Sequence, residues 1–308
     1  IPKARQDVES GDFLVVGMGK LGSRELTYGS DLDVIFLFDV EDADEHGVLE
    51  AQESFVRLSQ KLGWALQTPT AEGVCYEVDA RLRPSGHQGL LVTSLGSFER
   101  HHSEHAQIWE RQALLRARPV TGSERLARAF DSLRHAILQT PLDEDPTAEI
   151  HRIRRRMETE LANEVHGRWD LKTGRGGLLD VETVVQLRQL QHCAQHPELM
   201  EPEPIADQLK RIGGLGLLSA EQVAVLLEGW EFLKRLSSRL RIVENRSISD
   251  LSEERSDLES VGRTLGYTPS VRTGSVRPPL MDDYRRHTEA IRRVYLDVLE
   301  CAGEDEDR

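Results

Sequence analysis

The chain has 308 residues with 53 acidic against 39 basic side chains and a formal charge of -14, so a nucleic-acid partner gripped through its phosphates is not expected and a protein or small-molecule substrate fits better. Its length suits one large domain or two ordinary ones, two being the expectation. Cys75, Cys193 and Cys301 form no CxxC pair, no apolar run could span a bilayer, and the opening IPKARQDVESGD lacks a signal-peptide core, so reduced thiols, a cytoplasmic location and no membrane contact are expected.

The start carries no initiator Met, which suggests a piece of a longer protein. The first strong signal is FLVVGMGKLGSRELTYGSDLDVIFLFD, Phe13 to Asp39. Phe13 to Val16 and Val34 to Phe38 have the β-branched and aromatic content of buried strands, with a Gly-rich turn and a short polar segment between them. Asp31 and Asp33 stand two apart at the mouth of the second strand and so share a face. Near a partly buried sheet such a pair calls for a cation, and Mg²⁺ is the hard ion that suits oxygen ligands.

Val40 to Gly47 reads as an acidic loop. Val48 to Leu66 then carries Leu49, Phe55, Leu58, Leu62 and Leu66 at helical spacing, a helix expected to cover the sheet. Val74 to Arg83 alternates so that Glu77, Asp79, Arg81 and Arg83 share one charged face of a strand, which Pro84-Ser85-Gly86 ends; Gly89 to Val92 reads as a short following strand. From Ser97 to Leu138 the pattern is helical, broken at Pro119, and Thr140 to Asp145 is the candidate domain boundary. Beyond Pro146 no strand is evident. Helices are expected at Thr147 to Val165, Val181 to Ala194, Ile205 to Ile212, Glu221 to Glu244, Glu253 to Leu265 and Leu280 to Cys301, with a loop over Thr268 to Pro279. Between the first two lies Asp170 to Asp180, DLKTGRGGLLD, too polar and Gly-rich for a plain connector.

Gly17-Met18-Gly19-Lys20-Leu21-Gly22 matches GxGxxG, and Asp39 lies about 20 residues on, as a dinucleotide fold would have it. Only Ser23 to Ser30 separates the last glycine from the next strand, too little for a crossover helix, and a parallel inner strand would have to bury Asp31 and Asp33. A plain tight turn is the bland alternative. The third possibility joins Gly22 and Ser23, at a helix start that holds phosphate, to Asp31, Asp33 and a third carboxylate, Asp79, from a neighbouring strand: an oxygen-only two-metal site. His101, His102 and His105 read as a solvated face near Glu104, Trp109 and Trp230 as core, and Arg152 to Arg156 as a solvated helix face.

Leu21-Gly22-Ser23, Asp31-Leu32-Asp33 and Val78-Asp79-Ala80 together resemble the nucleotidyltransferase superfamily of DNA polymerase beta. GMGKLGSRELTYGSDLDVIF, YEVDARLRPSG, WERQALLRAR and DLKTGRGGLLDVE resemble, over nearly the whole chain, the bacterial glutamine synthetase adenylyltransferase and adenylyl-removing enzymes. The resemblance implies an α+β fold: a nucleotidyltransferase domain with a small mixed sheet and covering helices over residues 1–142, an all-helical bundle over 143–308, and a cleft between them. It implies Mg²⁺-dependent transfer of AMP from ATP to a tyrosine of glutamine synthetase; the alternative is the homologous half that removes AMP by phosphorolysis, giving ADP. Arg83 to Gly86, Leu90 to Ser94 and Trp109 to Leu114 look more like the adenylylating half.

By the same resemblance Asp31, Asp33 and Asp79 are catalytic metal ligands, Asp79 nearest the attacking hydroxyl, and Gly22 and Ser23, with Ser30 close by, hold the triphosphate. Lys20, Arg81 and Arg83 are electrostatic candidates for phosphate charge, a salt bridge to Glu77 being the structural alternative for either arginine. Lys172, Gly176, Gly177, Asp180 and Glu182 match the family's second loop, either contacting nucleotide or, more plainly, starting a helix with Asp180 as its cap. In the full-length enzyme, PII signal protein and glutamine are the expected regulators.

Overall fold

The computed structural model describes residues 11–41, 44–84, 86, 89–142, 144–162, 164–165, 167–244, 248–271 and 273–299. The opening residues, Ser85 and Cys301 lie outside them. The chain divides into two compact units, residues 1–26, 30–141 and 193–204, and residues 27–29, 142–192 and 205–308. It is a mixed α/β protein with a small mixed sheet and many helices. No helix among the described residues is long and apolar enough to cross a membrane.

In the first unit β1 (Asp12–Gly17) and β2 (Leu32–Asp39) pair antiparallel from Asp12 opposite Asp39 to Gly17 opposite Val34. Between them stands a single helical turn, α1 (Gly19–Gly22). β2 is central, and its Val34 to Phe38 run is buried throughout, which is why it shows no alternation. Helix α2 (Glu45–Gln67) covers one face through Ala51 and Phe55 against Val15, Phe36 and Phe38. Its Leu49, expected on that face, is 60% exposed.

Two short strands lie along the other side of β2, both parallel to it: β3 (Val78–Asp79) beside Leu32 and Asp33, and β4 (Val92–Ser94) beside Phe36 to Phe38. The ten-residue charged strand expected around Asp79 is thus two residues long. The Asp79 carboxylate accepts from the backbone N–H of Arg81 at 2.8 Å, closing an Asx-type turn that ends the extended run.

Helices α3 (Leu95–Glu104) and α4 (Ile108–Leu114) lead to β5 (Arg118–Gly122), which pairs with β1 at the sheet edge. This strand escaped the helical pattern because Pro119 reads as a breaker, yet an edge strand tolerates a residue without an N–H. Helix α5 (Glu124–Gln139) then packs on β1, with its Phe130 against Phe98 of α3 at 5.9 Å between centroids.

The histidines of α3 are not one solvated face. His105 is exposed near Glu104, but His101 Nε2 lies 2.6 Å from Glu110, and His102 is buried with its ring 4.4 Å from that of Phe98. Trp230 is core as expected, while Trp109 is half-buried and donates to Gln107 at 2.9 Å.

The second unit contains α6 (Thr147–Leu161), α7 (Leu178–His192), α8 (Ile205–Gly214), α9 (Ala220–Glu244), α10 (Leu258–Thr264) and α11 (Arg277–Val298). The long helices α9 and α11 pack on each other, burying Leu226, Leu233, Ile291 and Tyr295. The expectation of no strand beyond Pro146 is corrected by β6 (Arg168–Asp170) and β7 (Asp250–Ser252), an antiparallel pair. Three residues with one apolar position each are too short to show a period of two.

Burial lowers the pKa of His102 to about 4. A histidine depressed in the folded state but ordinary in the unfolded one stabilises the fold above about pH 6.5, and that contribution is lost as pH falls toward about 4. His102→Gln should therefore flatten the decline of melting temperature across that interval, measured by circular dichroism against the parent.

Candidate active site: three carboxylates beside a glycine turn

The parallel register sets Asp33 directly opposite Asp79, and Asp31 precedes β2 by one residue. A carboxylate oxygen from each of Asp31, Asp33 and Asp79 falls within 4.8 Å of the others. Asp31 is exposed and the other two are half-buried, so the cluster opens to solvent on one side. Oxygen-only donors converging from three positions suit hard divalent cations and give softer metals no sulfur or imidazole. The donor set fits Mg²⁺.

Arg81 turns back onto this cluster. Its Nε donates to Asp79 Oδ2 at 2.7 Å and its Nη2 makes a second, shorter contact to the same oxygen. The hydrogen bond it donates to Asp79, with the charges of Asp79, Asp31 and Asp33, holds its pKa above the usual arginine value. Its ion-pair partner is thus Asp79 and not Glu77. Arg83 points elsewhere: its guanidinium donates to the carbonyls of Gly89 at 3.1 Å and Ala80 at 2.6 Å, tying down the loop after β3.

The glycine turn reaches the acids because Met18 N–H donates to Asp33 O at 2.8 Å. Gly22 and Ser23 lie at the end of α1, not at a helix start. Their N–H groups donate to Met18 O and Gly19 O at 3.0 and 3.1 Å. Ser23 is fully buried; its single hydroxyl proton is shared between Gly19 O at 3.0 Å and Glu25 Oε2 at 3.1 Å, and its oxygen accepts from Arg116. Ser30 is also buried, and Lys20 is half-buried on α1. The structure therefore brings Asp31, Asp33, Asp79 and Arg81 together and turns Arg83 and the Ser23 hydroxyl to structural partners.

Residues 1–133 match the profile of glutamate-ammonia ligase adenylyltransferase, and residues 147–299 that of GlnD PII-uridylyltransferase. A bifunctional glutamine synthetase adenylyltransferase/adenylyl-removing enzyme of Streptomyces avermitilis is 38% identical over 288 residues, 92% of this chain and 28% of that protein. Proteins described in the same words from Thioalkalivibrio sulfidiphilus and Aromatoleum aromaticum are 37% and 40% identical, over 81% and 75% of this chain and 26% and 24% of their own lengths. The chain belongs to the glutamine synthetase adenylyltransferase family. It spans about a quarter of the length of these curated relatives.

Two residues of the WERQALLRAR segment that carries the family resemblance have a structural explanation that sequence reasoning missed. Arg116 is buried and clamps Ser23 Oγ (2.9 Å) and Glu25 Oε2 (3.3 Å); Arg118 donates to the carbonyls of Gly22 (2.9 Å) and Leu21 (3.0 Å) at the C-terminal end of α1. A Cβ on Gly22 would lie 1.7 Å from Arg116 O, so only glycine lets the two segments approach. These partners are more than 90 residues apart in sequence, and no local pattern announces them.

The family's second loop lies in the second unit, between β6 and α7. Lys172 N–H and Thr173 N–H donate to Asp170 Oδ1 at 2.8 and 2.7 Å, and Lys172 O accepts from Leu179 N–H. Asp180 is completely buried and is not the cap residue itself. It sits in the first turn of α7 and reaches back to Gly176 N–H at 2.9 Å, while Arg154 (2.6 Å) and Arg292 (3.2 Å) pair with its two oxygens and Glu158 takes their remaining charge. The run Arg152 to Arg156 is therefore solvated only in part: Arg152 and Arg156 pair with Glu149 and Glu160 at the surface, and Arg154 turns inward.

Removing one partner of a buried ion pair leaves an uncompensated charge at a cost of roughly 3–5 kcal/mol. Arg116→Met, stranding Glu25, should lose about that much in urea unfolding followed by tryptophan fluorescence. Asp180→Asn should lower the thermal midpoint clearly more than Glu158→Gln, because Glu158 keeps some solvent access and Asp180 has none.

Proposed function

We propose that the chain is the catalytic part of a protein adenylyltransferase: a nucleotidyltransferase domain accompanied by a helical bundle domain formed by the helices of the second unit. It transfers AMP from ATP to a tyrosine hydroxyl of glutamine synthetase and so regulates nitrogen assimilation. The observation that carries this reading is the convergence of Asp31, Asp33 and Asp79 within 4.8 Å in a chain whose relatives are named for this activity. The adenylylating direction is supported by the resemblance of Arg83 to Gly86 and Trp109 to Leu114 to that half of the family.

In the reaction the tyrosine oxygen attacks the α-phosphorus, the bond from that phosphorus to the bridging oxygen breaks, and pyrophosphate leaves as the hydroxyl proton is lost. Two Mg²⁺ ions held by the three carboxylates would lower the pKa of the attacking hydroxyl and shield the triphosphate. Asp79 orients the acceptor hydroxyl from β3, while Asp31 and Asp33 hold their oxygens on the opposite strand. The turn around Gly22 and Ser23, with Ser30 nearby, shapes the wall beside the triphosphate. Lys20 and Arg81 supply positive potential there, and Arg83, though fixed to the carbonyls of Ala80 and Gly89, adds its charge from the loop after β3. Placement and charge compensation of this kind provide most of the acceleration in phosphoryl and nucleotidyl transfer. An ATP donor places the reaction in the cytoplasm, with PII signal protein and glutamine acting through the rest of the longer protein.

Labelled ATP and unmodified glutamine synthetase should give label on the synthetase; no label there, with ADP formed from adenylylated synthetase and phosphate, assigns the chain to the removing half instead. Asp33→Asn should lower incorporation at least about a hundredfold while leaving the melting temperature unchanged or higher, since it removes one of a set of repelling charges. Unchanged turnover in that variant would refute the ligand assignment.

A further inference from the structure

We propose that Arg81 is the resident counter-cation of the carboxylate triad and has to leave Asp79 before a divalent ion can take all three ligands, so that metal loads with the triphosphate and not ahead of it. The inference rests on the adenylyltransferase reading of the same site.

Both oxygens of Asp79 are engaged by this one residue: Oδ1 by the Arg81 backbone N–H at 2.8 Å, Oδ2 by Nε at 2.7 Å and by Nη2. An ion held by all three acids would need a carboxylate oxygen of Asp79, and Arg81 engages both of them. The two ends of the pair differ in setting. The Asp79 side chain is 14% exposed and the Arg81 side chain 63%, so the arginine swings into water at small cost while the carboxylate stays in the sheet. The backbone N–H bond to Oδ1 survives that swing and keeps Asp79 aimed at Asp33.

A bare divalent ion must therefore displace an arginine and leave it solvated. An ion arriving with a triphosphate displaces the same arginine but offers it a new partner, because phosphate accepts a guanidinium in the bidentate way a carboxylate does. The difference between those two cases is a coupling free energy, and linkage makes it reciprocal: whatever factor nucleotide adds to metal affinity, metal adds to nucleotide affinity. Arg83 cannot stand in, since its guanidinium is held by the carbonyls of Ala80 and Gly89. A device of this kind also offsets part of the mutual repulsion of the three acids: one positive charge is built in beside them, and it moves aside when a better one comes.

The test is Mn²⁺ binding, followed by electron paramagnetic resonance, with and without a non-hydrolysable ATP analogue. The wild-type chain should bind Mn²⁺ weakly alone and more tightly with the analogue. Arg81→Gln should bind Mn²⁺ alone about three- to tenfold more tightly than wild type, with the gain from the analogue correspondingly reduced, and Arg81→Lys should fall between. Equal or weaker Mn²⁺ binding by Arg81→Gln, in a protein that melts like wild type, overturns the counter-cation role while leaving the site intact. Failure of the wild-type chain to bind Mn²⁺ even with the analogue, or Asp33→Asn binding it as well as wild type, overturns the adenylyltransferase reading and this inference with it.

Discussion

Everything at the candidate site depends on one pairing, the two-residue parallel ladder that sets Asp33 opposite Asp79. Two carboxylates within 4.8 Å repel by about 3 kcal/mol at an effective dielectric of about 20, and a third carboxylate adds to that. A ladder of two residues could not hold such a cluster alone. It is held because β2 is locked independently, by its full antiparallel register with β1 and by the buried run from Val34 to Phe38, and because Leu32 N–H donates to Glu77 O just before β3 begins. Packing on the apolar half of β2 supplies the stability that the acidic half gives up.

The same division of labour recurs in how arginine is used. Although the chain is strongly acidic, several guanidinium groups lie inside it, each holding a loop to a distant segment. Arg116 and Arg118 hold the turn at Gly22 and Ser23; Arg154 donates to Gly174 O at 2.8 Å and, with Arg292, neutralises Asp180 under the second loop. Each loop carries a glycine pressed against backbone, Gly22 on Arg116 O and Gly176 on Thr288 O, where a Cβ would come within 1.7 and 2.0 Å. A planar fork of five donors satisfies several carbonyl and carboxylate oxygens at once, which a lysine cannot do. Both loops are thus fixed by the same device, built from residues far apart in the chain.

What could be read from the sequence follows from the range of the interactions. β1 and β2 show as continuous apolar runs and the long helices α2, α9 and α11 by helical spacing, so their existence was legible without tertiary information. β5 was hidden by Pro119, β6 and β7 by their three-residue lengths, and the end of β3 by the turn that Asp79 makes with Arg81. At the site, the spacing of Asp31 and Asp33 announced a shared face, and Asp79 could be joined to them as a carboxylate of a neighbouring strand, but its position directly opposite Asp33 could not be read, because register between strands separated by a whole helix leaves no local mark. The burial of His102 and Arg154 was missed for the same reason: each sits in a polar segment whose single inward position is set by what packs against it.

The direction of one strand decides between the two chemistries that the glycine pattern allowed. In a dinucleotide fold the glycine turn and the next strand belong to a parallel βαβ unit, so the start of that strand lies at the far edge of the sheet from the turn. Here β2 runs antiparallel to β1, and the end of β1 at Gly17 stands beside the start of β2 at Val34. That reversal is what carries Asp31 and Asp33 to the edge where the glycine turn sits, and the short connection through Ser30 leaves no residues for a crossover helix. A glycine-rich turn facing carboxylates would repel a bare dinucleotide phosphate. Cations standing between the two would make it a phosphate site, so the antiparallel pairing that excludes the Rossmann unit also sets the carboxylates where the proposed metal would be needed.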